Sequence, residues 1–311
     1  MSKARQGNRH LKSGGHLKVV VFALGFKGIN VLKAAEAVGF LNCVYRVIVG
    51  TDRGVDNDYS SEVIAFCELN KISWGRESDS YFCTANATQL FAIAAGWRWM
   101  INQSFREIIV IHDSLLPRYR GFNPLVSALL AEEPIIGVTA FLANGGYDSG
   151  PIIATRKLSV DYPTKVAVVT GRIADLYFDI ACDIFLSLGN GESFMGVPQD
   201  ESKVTYSIWR DDEDYRIDWS KSAAEIRHFI SCVGSPYRGA SAIYDHSLLR
   251  IHNAEIEEDV EIVNRDVGKV IFVRETQPVV ICGSGLLRLT HVKDEIGNSV
   301  LPFKRFRVRL K

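Results

Sequence analysis

Apolar runs alternate with amphipathic segments along the first part of the chain. Residues 17–24 are nearly continuous in apolar, β-branched character and end at glycines, after which apolar residues recur at helical spacing. The apolar run at residues 44–49 is likewise followed by a helical pattern at residues 60–69. Apolar runs of this length are typical of strands buried on both faces of a sheet. The repeated order of strand and helix predicts an α/β fold with a doubly wound, mostly parallel sheet.

The same architecture continues to about residue 197. A strand is predicted at residues 152–160, and a long amphipathic helix follows at residues 165–188. Residues 198–219 are polar and rich in turn formers, which is typical of a linker between domains. The sheet domain is therefore expected to span residues 17–197. Residues 1–16 are basic and glycine-rich, which indicates a disordered lead-in or an added segment.

A smaller, mainly β domain is predicted for residues 220–311. Ser220 is a suitable N-cap for a short helix at residues 223–233. Short apolar runs separated by turns follow this helix, as in a small sheet or barrel. The predicted strands are residues 242–244, 248–251, 268–273, 278–282, 286–292 and 305–310.

The composition limits the classes of partner that this protein is expected to bind. The 311 residues are 47% hydrophobic and carry 36 basic and 36 acidic side chains, so the net charge is near zero. A protein whose main partner is a nucleic acid more often has a basic excess, and we expect no such partner here. The six cysteines are spaced singly, no histidine pair has metal-ligand spacing, and residues 1–16 lack the apolar core of a signal peptide or membrane span. We expect reduced thiols, no metal, no membrane partner and a cytoplasmic location.

Two polar motifs carry the candidate chemistry. The first, Ile-His-Asp-Ser-Leu-Leu-Pro-Arg-Tyr-Arg-Gly at residues 111–121, places His112 at the end of a predicted strand, where open α/β sheets bind their ligands. The second, Gly-Gly-Tyr-Asp-Ser-Gly-Pro at residues 145–151, holds Asp148 in a glycine-bounded turn. Imidazole transfers protons near neutral pH, and a neighbouring carboxylate orients it and favours its cationic form. We therefore expect His112 and Asp148 to act together in catalysis.

The two motifs, in this order, resemble the signature of the folate-dependent formyltransferases, Asn-x-His-x-Ser-Leu-Leu-Pro, then Arg-x-x-Gly and Asp-x-Gly. The resemblance implies a Rossmann-like formyltransferase fold with the catalytic domain at residues 17–197. It also implies N10-formyltetrahydrofolate as the formyl donor and no metal. The matching positions are His112, Ser114, Leu115, Leu116, Pro117, Arg118, Gly121, Asp148 and Gly150.

Further binding residues follow from the same resemblance. In the resembling family, the segment that matches residues 97–101 supplies backbone groups to the pterin ring, although paired tryptophans are also typical of a core. Arg118 and Arg120 suit phosphate or carboxylate groups, and a solvated surface pair has the same pattern. The expected folate-binding residues are Trp97, Arg98, Trp99, Met100, Leu115, Asn144, Gly145 and Tyr147. The expected acceptor-binding residues are Arg118, Arg120, Phe122, Asn123, Arg210 and Tyr237.

Val110 departs from the resembling signature, which has asparagine two residues before the histidine. In the family, the asparagine amide donates to the developing oxyanion, and loss of one such donor costs on the order of 100- to 1000-fold in rate. Three outcomes are open: the imidazolium with a backbone N–H or water takes over this role, another asparagine replaces it, or the enzyme is slow. We expect compensation, and the candidate asparagines are Asn102, Asn123 and Asn144.

Three classes of relatives share these motifs and differ in their acceptor. Enzymes acting on glycinamide ribonucleotide are a single short domain, and those acting on methionyl-tRNA usually carry a more basic insertion and tail. This chain has a second domain, a neutral charge and a short loop at residues 96–112. We therefore expect an N-formyltransferase that acts on a nucleotide-linked amino sugar, a 4-amino-4,6-dideoxy sugar, in glycan biosynthesis. A homodimer is one option, and the sequence leaves the oligomeric state open. The alternatives are a methionyl-tRNA formyltransferase and a non-catalytic folate or nucleotide-binding relative.

Overall fold

The structure is a computed structural model that describes residues 17–78, 87–102 and 104–311. The predicted lead-in at residues 1–16 and Cys83 lie outside the described residues. The helices are α1 (Gly25–Ala37), α2 (Ser60–Leu69), α3 (Pro124–Leu130), α4 (Val166–Gly189) and α5 (Ala223–Val233). The strands are β1 (Val19–Ala23), β2 (Val44–Val49), β3 (Trp74–Arg76), β4 (Phe91–Ala95), β5 (Glu107–His112), β6 (Arg120–Gly121), β7 (Ile135–Leu142), β8 (Ile152–Ser159), β9 (Tyr206–Ser207), β10 (Ala240–Tyr244), β11 (Ser247–Glu257), β12 (Val270–Arg274), β13 (Gln277–Ile281) and β14 (Leu286–Lys293).

The larger sheet has the strand order β3-β2-β1-β4-β5-β7-β8. Neighbouring strands from β3 to β5 are parallel, whereas β7 is antiparallel to both β5 and β8. This arrangement confirms the doubly wound, mostly parallel sheet that the sequence predicts. The strand order reverses between β1 and β4, so the carboxyl ends of these two strands bracket the crevice in which such sheets bind ligands.

The core of this unit forms because its strands are apolar on both faces. Every residue of β1 is buried, and α1 and α4 pack together beneath the sheet. On α4, Tyr177 is fully buried and its hydroxyl donates to the carbonyl of Ile111 at 2.9 Å. This hydrogen bond ties the helix to the end of β5, where the first motif begins.

A second, antiparallel sheet has the order β10-β11-β14-β13-β12. Its inner face packs with α5 around a separate apolar core that includes Ile226, Ile230 and Leu287. This matches the mainly β unit that the sequence predicts. The predicted strand at residues 305–310 was wrong, since this segment makes a single isolated bridge, from Arg309 to Lys269 just before β12, and leaves side chains such as Phe306 exposed.

The N-cap of α5 is Ser222 rather than the predicted Ser220. The Ser222 hydroxyl accepts from the Glu225 N–H at 3.2 Å, and the Glu225 carboxylate accepts from the Ser222 N–H at 2.9 Å. This reciprocal pair is a capping box, which satisfies two backbone donors at the start of the helix. The Ser220 hydroxyl donates instead to Asp218 in the preceding turn, at 2.6 Å.

Ser222→Ala is expected to lower the free energy of unfolding by about 1 kcal/mol, because it removes the cap of a helix that closes the second core. Urea denaturation of the full chain measures this loss. Ser220→Ala is the matched control, and it is expected to cost less because its hydroxyl caps no helix. Equal losses for the two variants would contradict the assignment of the cap.

Within the described ranges, no helix combines the length and apolar character needed to cross a bilayer. The same residues contain no group of three or more His, Cys, Asp or Glu side chains placed to hold a metal ion. The described cysteines are free thiols.

Candidate active site

A cavity of about 1520 Å³ opens at the carboxyl ends of β1, β4 and β5. Its walls comprise these strand ends, parts of α1 and α4, the loop after β7, residues 209–212 of the linker and residues 235–238 of the β-rich unit. The crevice between β1 and β4 is the expected ligand site of a doubly wound sheet. Small-molecule sites usually measure about 300–1,000 Å³. The cavity therefore has room for two ligands at once.

His112 is the last residue of β5 and lines this cavity. Its side chain is 10% exposed, and Nε2 lies 2.9 Å from the carbonyl oxygen of Tyr119. Because a carbonyl oxygen only accepts hydrogen bonds, Nε2 carries the proton of the neutral imidazole. Nδ1 is then the basic nitrogen, and it lies 3.9 Å from Oδ2 of Asp148. The nitrogen that can take up a proton therefore faces the Asp148 carboxylate.

Asp148 is held in place by a tight turn. Its backbone is in the left-handed region (φ 48°), and its Oδ2 accepts from the N–H of Gly121 at 2.8 Å. At Gly150, which follows in the same turn, a Cβ atom would lie 1.7 Å from the carbonyl oxygen of Leu142. Only glycine fits there, which accounts for the glycine of the Asp-x-Gly motif.

Gln199 and Arg120 support the Asp148 turn from the side away from the cavity. Gln199 Nε2 donates to the carbonyl oxygens of Asp148 and Gly150, both at 2.8 Å. Its Oε1 accepts from Nε and Nη2 of Arg120 at 3.0 and 2.8 Å, and Arg120 also pairs with Glu201 at 2.8 Å. The Arg120 side chain is 3% exposed and does not line the cavity. Arg120 is thus a positioning residue in this structure rather than the acceptor-binding residue expected from the sequence, which gave no signal for Gln199.

Lys27 and Asp113 form a buried ion pair beside the site, which the sequence motifs did not indicate. Lys27 Nζ lies 2.6 Å from Asp113 Oδ2, and the two side chains are 16% and 10% exposed. The Tyr177 hydroxyl lies 3.2 Å from the other carboxylate oxygen. Burial raises the pKa of Asp113, but the charges of Lys27 and His112 and the hydrogen bond from Lys27 outweigh it and hold the pKa below its usual value. Lys27 and the ionised carboxylate of Asp113 therefore form an ion pair on the cavity wall.

Trp97 and Trp99 form an aromatic wall at the end of β4. Their ring centroids lie 4.9 Å apart in an edge-to-face contact, and Trp97 packs on Phe22 at 5.1 Å. Trp97 Nε1 is buried with no hydrogen-bond partner among the described residues. No backbone group of residues 97–101 forms a backbone hydrogen bond with another part of the described chain. The segment thus combines a Trp97 ring packed on Phe22, an exposed Trp99 ring and an open backbone along the cavity.

Val110 lines the cavity and packs in an apolar cluster on the same face of the sheet. Of the candidate replacements for the missing asparagine, Asn123 and Asn144 line the cavity, whereas Asn102 does not. Asn123 precedes α3, and its side chain does not cap that helix. Lys27 is a further donor on this wall, one that the sequence analysis did not consider.

Some of the other predicted binding residues line the cavity, and others do not. The Arg118 guanidinium binds the carboxylate of Glu133, and Arg118 does not line the cavity. Arg210 Nε is buried without a partner in the described part of the chain and keeps a donor for an anionic ligand. The predicted residues on the wall are Trp97, Arg98, Trp99, Met100, Phe122, Asn123, Asn144, Tyr147, Arg210 and Tyr237; those outside it are Leu115, Gly145, Arg118 and Arg120. Trp209, Tyr215 and Arg238 also line the wall, although the sequence did not single them out.

Two protein-family models match the chain. A formyl transferase model matches residues 91–180, and a model of the formyl transferase C-terminal domain matches residues 210–303. The matched segments together make up more than half of the chain.

Curated relatives and solved structures agree with these matches. A methionyl-tRNA formyltransferase of Dechloromonas aromatica (strain RCB) is 29% identical over 199 residues, which are 64% of this chain and 61% of that protein. The chain therefore spans about three-fifths of the length of this relative.

The solved structures share the fold at low identity. WlaRD, a sugar 3N-formyl transferase crystallised in the presence of dTDP and 5-N-formyl-THF, is similar with a TM-score of 0.62 at 20% identity, over 88% of this chain and 98% of that one. The N-formyltransferase from Helicobacter canadensis in complex with folinic acid and dTDP-3-aminofucose also has a TM-score of 0.62, at 16% identity over 88% of this chain and 99% of that one.

Proposed function

Because this chain belongs to the formyltransferase family, we propose that it transfers a formyl group from N10-formyltetrahydrofolate to the amine of a nucleotide-linked amino sugar. The observation that carries the proposal is the basic Nδ1 of His112, which faces the Asp148 carboxylate at 3.9 Å on the wall of a cavity with room for two substrates. The acceptor we propose is a 4-amino-4,6-dideoxy sugar used in glycan biosynthesis. We assign the reaction to the cytoplasm, where free thiols such as those described here persist.

His112 acts on the proton of the acceptor amine. An amine attacks in its neutral form and gives up a proton as the new C–N bond forms. Nδ1 takes up this proton, while the Nε2–H group stays bound to the Tyr119 carbonyl and keeps the ring oriented. Asp148 stabilises the resulting imidazolium, which then protonates the leaving nitrogen. The hydrogen bond from Gly121 keeps Asp148 in place through both proton transfers.

N10-formyltetrahydrofolate supplies an activated formyl group. Trp97 and Trp99 offer aromatic surface and the backbone of residues 97–101 offers polar groups, which together suit a planar heterocycle with hydrogen-bonding edges. Negative charge develops on the formyl oxygen during transfer, and side-chain donors on the wall stabilise it. The candidates for this role are His112, Lys27, Asn123 and Asn144.

The opposite wall suits a nucleotide. Trp209 and Tyr215 offer aromatic faces for a base, and Arg238 offers a cation for phosphate. The net charge near zero favours a small anionic acceptor over tRNA. The complex of the Helicobacter canadensis enzyme with dTDP-3-aminofucose supports the same class of acceptor. The name of the curated relative supports methionyl-tRNA as a second candidate.

Turnover with a panel of acceptors tests the proposal. The full chain is incubated with N10-formyltetrahydrofolate and dTDP- or UDP-linked 4-amino-4,6-dideoxy sugars, or with methionyl-tRNA, and release of tetrahydrofolate is followed by absorbance. We expect turnover with a sugar nucleotide and none with methionyl-tRNA. The reverse result would replace the acceptor by tRNA. Folate binding without turnover on any acceptor would favour a non-catalytic relative.

Val110→Asn is expected to lower the free energy of unfolding by about 1–3 kcal/mol and to leave kcat unchanged or reduced, because the amide enters an apolar cluster with unpaired polar groups. Urea denaturation and steady-state kinetics measure the two effects. Val110→Thr, which has the same shape, is the control for a single added polar group. A several-fold gain in kcat for Val110→Asn would mean that the site lacks an oxyanion donor and has not been rebuilt.

A further inference from the structure

A second cleft, of about 370 Å³, adjoins the main cavity. It lies between the loop at residues 53–56 and one face of the β10–β14 sheet. Arg53, Gly54, Val55 and Arg238 line both the cavity and the cleft, so the two spaces adjoin at these residues. Neither the sequence motifs nor the chemistry of His112 accounts for this second space.

The sheet places like charges opposite each other in this cleft. Arg250 on β11 pairs directly with Lys293 on β14, and both side chains lie on the face away from the second core. Like charges directly opposite on antiparallel strands destabilise a sheet unless an opposite charge offsets them. His252 follows on the same face of β11 and also lines the cleft. The sheet thus presents a concentrated group of cations and donors to the space shared with the loop.

The Arg250 guanidinium keeps an unused donor despite its burial. Its side chain is 9% exposed, and Nη2 donates to Asp212 at 2.8 Å. Its Nη1 is buried and has no hydrogen-bond partner among the described residues. Asp212 is shared with Arg238, whose Nη1 donates to the same oxygen at 3.0 Å. A single carboxylate therefore faces two guanidinium groups and leaves a positive excess.

The remaining carboxylates near the cleft are largely occupied by local hydrogen bonds. Asp56 accepts from the Ser235 hydroxyl at 2.6 Å, and Asp294 accepts from N–H groups within its own turn. Arg53 and Lys293 form no ion pair within the described part of the chain. Glu295 is the one further acidic residue among those lining the cleft. The charges of the lining side chains and Asp212 therefore nearly cancel, but Arg53, Lys293 and Nη1 of Arg250 have no ion-pair or hydrogen-bond partner of opposite charge among the described residues and can donate to a ligand with several anionic oxygens.

We propose that this cleft binds the diphosphate of the acceptor nucleotide, while the amino sugar extends through the shared residues into the main cavity. The inference rests on the proposed function and deepens it by assigning one part of the acceptor to residues of the second sheet. Arginine forks and a lysine ammonium match phosphate oxygens in charge and geometry. The cleft volume lies at the lower end of the range for small-molecule sites, which suits a fragment of a ligand.

Binding of nucleoside diphosphates to the full chain tests this assignment. Isothermal titration at low ionic strength is carried out with dTDP, UDP and inorganic diphosphate as probes. Lys293→Gln is expected to weaken binding of these probes about tenfold, since it removes a charged hydrogen-bond donor, and Arg53→Gln is expected to act in the same direction from the opposite wall. Lys293→Arg is expected to retain binding. Lys269→Gln, at a lysine of the same unit that pairs with Asp266, is the control and is expected to have no effect.

Two outcomes would overturn the assignment: no probe binds, or the Lys293 and Arg53 variants bind the probes as the unaltered chain does. Titration with 5-formyltetrahydrofolate on the same variants separates this inference from the proposed function. Unchanged folate binding with no diphosphate binding rejects the cleft alone. Absence of folate binding rejects the formyl donor, and charge-dependent diphosphate binding in that case still supports the cleft.

Discussion

His112→Gln is expected to lower kcat/KM at least about 100-fold, the scale of general acid–base catalysis, with little change in stability. Glutamine can donate to the Tyr119 carbonyl as Nε2 does, but it cannot take up a proton at the position of Nδ1. Comparing His112→Gln with the unaltered chain therefore separates the loss of proton transfer from any loss of side-chain packing. The measurements are steady-state kinetics with the acceptor identified in the panel and thermal denaturation of both proteins. Near-normal turnover of a folded variant would remove His112 from the mechanism.

Asp148 supplies the control for this result because it acts through His112. Asp148→Asn and the double variant with His112→Gln are expected to be strongly non-additive, as for residues that function as one unit. Asp161→Asn, at an exposed carboxylate, is expected to leave kcat/KM unchanged. A double variant whose loss equals the product of the two single losses would mean that the residues act independently.

The two catalytic candidates were within reach of sequence analysis because each lies in a short local pattern. An apolar run followed by a proline-containing loop marks the end of β5, and a glycine-bounded aspartate marks the turn after β7. Gln199 and Lys27 carry no such signal, since their partners lie 51 and 86 residues away along the chain. Arg120 illustrates the same limit: an arginine in a motif suits an anion or a buried network equally well, and only its 3% exposure decides between them.

The apolar pattern of the sequence also could not predict whether a strand is parallel or antiparallel to its neighbours. The run that forms β7 would look the same in a parallel or an antiparallel strand, because alternation of side chains is independent of direction. The structure pairs Val110 with Phe141 in an antiparallel register, although the connection between β5 and β7 contains α3 and would equally allow a parallel crossover. Because β7 is antiparallel to β5, it ends beside Ile108 rather than beside His112, and the loop that follows turns back to place Asp148 next to His112.

Lys27→Met is expected to lower the free energy of unfolding by about 3–5 kcal/mol, because removal of one partner leaves the other buried without its counter-charge. Urea denaturation at neutral pH measures the loss. Combining Lys27→Met with Asp113→Leu removes both charges and is expected to recover most of the stability. Lys33→Met, at an exposed lysine of the same helix, is expected to change stability by less than about 0.5 kcal/mol.

The dependence of this loss on pH identifies its cause. In the unaltered chain the pKa of Asp113 lies below its usual value, so the ion pair stabilises the fold above the ordinary carboxyl pKa, and this contribution is lost only as the pH falls through the lowered pKa. Without Lys27, burial alone raises that pKa, so the carboxylate destabilises the variant at neutral pH and becomes neutral at acid pH. The deficit of Lys27→Met is therefore expected to shrink as the pH approaches about 4. A deficit independent of pH would mean that the lost stability comes from apolar contacts of the Lys27 stem rather than from its charge.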